Sequence, residues 1–108
     1  MDMKLMIVIV QDEDAGKLLS SFSKKRIGVT KLATTGGFLR RGNTTLLIGV
    51  EEEMMDDVKA LIKEHCQRRV TNVVPIVPTA GMDFIPTPVQ VEIGGATMFI
   101  FDCKQEKM

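Results

Sequence analysis

Apolar residues run almost unbroken from Met3 to Val10, with Lys4 the one charged interruption, the pattern of a strand covered on both faces. The period then changes. Ala15, Leu18, Leu19 and Phe22 recur at helical spacing while Lys17, Ser20, Ser21 and Lys24 fall mostly on the other side, which predicts a helix from Glu13 to Lys25 lying on a sheet. Asp12, Glu13 and Asp14 stand where capping carboxylates favour a helix start, Lys24, Lys25 and Arg26 meet its negative end, and Gly28 is placed to turn the chain onward. A strand over Ile27 to Thr35, a glycine-rich turn and a strand over Asn43 to Val50 read as an antiparallel pair because their connection is short. Glu51, Glu52 and Glu53 open a second helix, with Met54, Met55, Val58, Leu61, Ile62 and His65 at helical spacing. Beyond Arg68 the pattern loosens: Val70 to Val77 is strand-like but interrupted by Pro75, and Pro78, Gly81, Pro86 and Pro88 punctuate a long loop. Val89, Val91 and Ile93 then alternate with polar residues, Gly94-Gly95 reads as a turn, and Ala96 to Phe101 forms a last strand before a charged tail.

The order βαβ followed by βαβ, with an antiparallel hairpin joining the halves, predicts an α+β, ferredoxin-like sandwich with an extra C-terminal strand and a long proline-containing loop. The 108 residues form one domain, and a hydrophobic content of 44% with 26% charged residues is enough for a core without disulfide staples. Fourteen basic residues balance fourteen acidic ones, so no bulk attraction to nucleic acid or to an anionic membrane is expected. The longest apolar run is too short to span a bilayer and the N-terminus lacks a signal-peptide pattern, making the cytoplasm the expected location. Cys66 and Cys103 are too isolated for a disulfide framework or a metal site, and neither a metal nor a cofactor is expected.

Packing accounts least well for Thr30 to Asn43. Five of the nine glycines, Gly28, Gly36, Gly37, Gly42 and Gly49, lie between Ile27 and Val50, and threonines and Asn43 surround them. Hydroxyls, a carboxamide and open backbone N–H groups bind neutral ligands and can cradle phosphate. Phe38, on the turn between Gly37 and Leu39, is placed to stack on a flat ligand. The plainer alternative is a glycine-rich hairpin with Phe38 and Leu39 folded back onto the core. His65 beside Cys66 invites a catalytic or metal reading, but consecutive helical residues point about 100° apart, and a helix-end charge role explains His65 more simply. Asp12, Asp14 and the 51–53 glutamates are acid–base candidates that capping already explains, so a small phosphate-substrate enzyme is a poorly supported alternative.

The segments Thr30-Lys-Leu-Ala-Thr-Thr-Gly-Gly-Phe-Leu39, Gly42-Asn-Thr-Thr45 and Gly94-Gly-Ala-Thr97, together with Phe99, Val8-Ile-Val-Gln-Asp12 and Pro88-Val-Gln-Val-Glu92, closely resemble the PII-like cyclic di-AMP receptor family of bacteria. The resemblance covers nearly the whole chain. It implies a cytoplasmic homotrimer that binds one cyclic di-AMP in each cleft between neighbouring subunits and receives a signal without catalysis. Carried over by position, Thr30, Gly37, Phe38, Leu39, Asn43 and Gly49 match ligand-contacting residues, and Phe99 matches a ring supplied near the last strand. Phe38 and Phe99 would pack on adenine, while Asn43 and threonines such as Thr35 would read its edge or the ribose. Where relatives often carry an arginine, this chain has Gly28, so that a phosphate contact is either lost or moved to Arg26, Lys31 or Arg40. The output would be a rearrangement of the glycine turn and of the loop over 77–87, read by a downstream protein. An ATP-binding PII-type regulator and a purely structural trimer remain alternatives.

Overall fold

The computed structural model describes residues 3–32, 42–73 and 89–108. Strand β1 (Met3–Gln11) leads into helix α1 (Asp12–Lys24) and the short strand β2 (Val29–Lys31). Strand β3 (Asn43–Glu51) follows, then a single 3-10 turn at Glu52–Met54, helix α2 (Met55–His65), and strands β4 (Arg69–Val73), β5 (Val89–Ile93) and β6 (Ala96–Cys103). The main sheet has the order β2-β3-β1-β6, every neighbour antiparallel, and both helices pack on one face of it. That is the ferredoxin-like sandwich the pattern predicts, with β6 occupying the fourth place in the sheet.

The core follows from the period-2 alternation of the two central strands. Met6, Val8 and Val10 of β1 and Leu46, Ile48 and Val50 of β3 share the helix-facing side, and Leu18, Phe22, Val58 and Ile62 close over them. Each such side chain contributes roughly 1.5–3 kcal/mol by burial, which holds the two layers together. The other face differs from the sequence expectation for β1. Leu5, Ile7 and Ile9 are only half-buried, because no described element of this chain covers that side of the sheet.

Strand β4 was expected after α2, and its position outside the main sheet is set by β5. The two pair over five residues in a separate two-stranded ribbon. Gly94-Gly95 therefore does not close a β5–β6 hairpin. It makes a corner that carries the chain from the ribbon back to the sheet, with φ of 86° and 83° at the two glycines. Both backbone N–H groups are held there: Gly94 donates to Gln11 Oε1 at 2.8 Å and Gly95 to the Cys66 carbonyl at 2.6 Å. A Cβ at Gly94 would lie 2.1 Å from the Gln67 carbonyl oxygen, so only glycine fits.

The helix ends depart from their sequence reading in detail. No side chain caps the N-terminus of α1. Asp12 instead accepts from the Thr44 hydroxyl at 2.5 Å, and Asp14, buried, accepts from Arg69 Nη2 at 2.9 Å while its Oδ2 finds no partner among the described residues. Arg69 thus ties the base of the ribbon to α1, and its guanidinium is held more firmly protonated by that hydrogen bond. At the other end of α1, Arg26 rather than Gly28 takes the left-handed conformation, with φ of 57°. Its N–H bonds Ser23 and that of Ile27 bonds Phe22, which is a Schellman closure counted from the helix end. His65 meets Ser21 across the helix pair, Nε2 to Oγ at 2.7 Å, and so joins α2 to α1.

Candidate ligand-binding site

Strand register assigns each described site residue to a face and a row. Thr30 pairs with Leu47, Leu47 with Ile7 and Ile7 with Phe99, so all four lie in one row across the uncovered face. Thr30 and Phe99 stand at opposite edges, three strand spacings or roughly 14 Å apart. Gly49 lies in the next row, opposite Leu5, which in turn pairs with Phe101. It is exposed, and a Cβ built there would meet nothing within 4 Å. The packing of the chain itself therefore does not demand glycine at 49, and its absent side chain leaves bare backbone for another molecule to approach.

Asn43 pairs with Gln11 at the end of the sheet where α1 begins. Beside it a cavity of about 140 Å³ opens between the ends of β1, β3 and β6, lined among others by Ile9, Gln11, Asn43, Arg68, Gly95 and Thr97. Arg68 lies across the Gly95 backbone, its Nε 3.0 Å from where a Cβ would stand. In the row of Ile9 and Thr97, the buried Thr45 hydroxyl has no partner among the described residues, an arrangement that calls for a reason in a well-packed sheet.

Of the cations considered for phosphate, Lys31 pairs with Leu46, which puts it on the opposite face from Thr30. Arg26 precedes β2 at the end of the sheet away from Asn43. Thr35, Gly37, Phe38, Leu39 and Arg40 lie outside the described residues, as does the proline-punctuated loop over 77–87. Arg68, which lines the small cavity, carries no local signal in the sequence. A larger groove of about 610 Å³ between α2 and β6, with Ile62, Cys66 and Met98 in its lining, shares Arg68 with the smaller cavity and holds none of the ligand-contacting residues that the family resemblance implies. Among the described residues no three His, Cys, Asp or Glu side chains come together as a metal site, and no helix is long and apolar enough to cross a membrane.

Sheet order, helix placement and a largely apolar, uncovered sheet face define a ferredoxin-like α+β sandwich. B. subtilis GlnK, 15% identical over 95% of this chain and 86% of its own, shares the fold with a TM-score of 0.51. A functionally unknown protein from Pediococcus pentosaceus ATCC 25745 is 39% identical over the whole of this chain and 98% of its own, with a TM-score of 0.75. Residues 3–107 match the family described as Cyclic-di-AMP receptor, and the chain belongs to that family.

Proposed function

We propose that this protein is a non-catalytic cytoplasmic receiver of cyclic di-AMP, assembled as a homotrimer with each ligand held between neighbouring subunits. Family membership supports the ligand. The observation that carries the intersubunit reading is the row Thr30–Leu47–Ile7–Phe99, which sets the two groups of candidate contacts at opposite edges of one sheet. A ligand gripped by Thr30, Gly49 and Asn43 of one chain meets an adenine-stacking ring most readily as Phe99 of a second. The uncovered face supports assembly as well: Phe99, Phe101, Leu5, Ile7 and Leu47 form an apolar band on one side of the sheet, and such bands mark interfaces. Phe38, Leu39, Gly37 and Thr35 would complete the adenine and ribose contacts, and Arg26, Lys31 or Arg40 would serve a phosphate. Ligand contacts with the glycine turn and the 77–87 loop would shift their populations for a downstream protein to read.

Thermal unfolding in the presence of cyclic di-AMP, ATP and AMP tests the reading. Cyclic di-AMP at about 100 times its dissociation constant should add roughly 2.7 kcal/mol, and ATP much less. Equal stabilisation by ATP would instead favour an ATP-binding PII-type regulator.

A further inference from the structure

We infer that the cavity between Asn43 and the Gly94-Gly95 corner is an anion subsite in which Arg68 binds a phosphodiester group of the ligand, an inference that rests on the cyclic dinucleotide reading above. The chemistry of the lining is one-sided. Gln11 spends its Oε1 on the Gly94 N–H, which leaves its amide N–H groups to point elsewhere. Asn43 contributes a carboxamide and Thr97 a hydroxyl, and neither has a hydrogen-bond partner among the described residues. Arg68 adds a full positive charge, and no carboxylate lines the cavity among the described residues. Donors with a cation and no anion select an acceptor-rich, negatively charged group. At about 140 Å³ the space takes one such group and not a whole dinucleotide, so it is part of a larger site.

Arg68 is available for this role. Its contact with Glu92 on β5 is long, 3.7 Å, and both side chains are mostly exposed, at 76% and 63%. A pair of that kind is worth little and gives way readily to a bidentate phosphate. The corner also holds the arginine in place. Gly95 is fixed by the Cys66 carbonyl, and the Arg68 side chain lies 3.0–3.6 Å from where a Cβ at position 95 would stand, a packing that any larger residue there would push aside. The cation is thus packed beside the hydrogen-bonded corner although its side chain is long and mostly exposed. Arg26 and Lys31 share no such placement beside Asn43.

Calorimetric titration of the full chain with cyclic di-AMP, at low and high salt, decides the matter. Arg68→Gln should weaken binding about tenfold, the range of one charge-assisted hydrogen bond, and flatten the salt dependence. Its melting temperature without ligand should stay at the wild-type value, since the side chain is exposed. Glu92→Gln should bind at least as tightly as wild type, because it frees the same guanidinium. Wild-type affinity and salt dependence in Arg68→Gln overturn the subsite and leave the receptor reading standing. A loss in Glu92→Gln equal to that in Arg68→Gln means that ribbon placement and not the cation sets affinity, and also overturns it. Failure of the wild-type chain to bind cyclic di-AMP overturns the receptor reading and this inference together.

Discussion

Cys66 closes α2 with its thiol in the core, and burial, with a smaller contribution from the nearby Asp14 carboxylate, pushes its pKa up from 9.0 to about 11. The unfolded chain releases that proton near pH 9 and the folded chain holds it, so between these values the folded state binds more protons and stability falls as pH rises. Below about pH 8 the thiol contributes no slope; by pH 11 the loss amounts to roughly 2–3 kcal/mol. Urea midpoints measured at stepped pH should show this fall in the wild type and not in Cys66→Val, whose curve isolates the thiol from the titrating lysines. Parallel curves would mean that the thiolate is accommodated in the fold. At the same scale, part of the candidate site was legible and part was not. Asn43 and Gly49 stand out as polar or small residues that the apolar pattern does not require. Arg68 does not, because one arginine beside another in a loop carries no local mark of the cavity that three distant strand ends build around it. Arg26 shows a different limit: a glycine two residues later looked like the turn residue, but the Schellman closure fixes the left-handed position by counting from the end of α1.

At the scale of elements, the Gly94-Gly95 corner decides where β5 goes. Gly94→Ala would place a methyl 2.1 Å from the Gln67 carbonyl at a φ of 86°, a conflict that cannot relax without moving the ribbon or the loop after α2. The expected cost is about 2–3 kcal/mol, with amide exchange accelerating first in β4 and β5 and only later in β1 and β3. Gly49→Ala is the matched control, since its Cβ meets nothing in the chain and the free protein should keep its stability. Uniform acceleration across all strands would show that the ribbon is not a separate unit. Periodicity made β1, α1, β3 and α2 readable because each buries one regular face, whereas β6 was readable only as an apolar run, one that this chain leaves largely exposed. The pairing of β4 with β5 was not readable: two exposed short strands with weak alternation give the same local pattern whether they join the main sheet or each other. Long-range bonds from Gln11, Cys66 and Arg69 settle it, and no window of sequence contains them.

For the whole molecule, the geometry of one chain leaves work for another. Half of Phe99 and of Phe101 is exposed on the uncovered sheet face, and Val70 and Val89 are exposed on a two-stranded ribbon, which is marginal in water on its own. With Thr30 and Phe99 at opposite edges of that face, the proposed site takes one from each of two subunits, a head-to-tail arrangement that closes into a ring. Thr30→Val and Phe99→Ala should therefore each abolish tight binding of cyclic di-AMP when present in every chain. Refolded together in equal amounts, they should regain it in part. A site is intact when its Thr30 comes from a Phe99→Ala chain and its Phe99 from a Thr30→Val chain, which random assembly supplies for about one site in four. Titration of the mixture should show that fraction binding with wild-type affinity, and light scattering should give a trimer throughout. Recovery of no sites from a mixture that forms trimers would mean that both residues serve the ligand from the same chain, and the uncovered face would then be only an assembly surface.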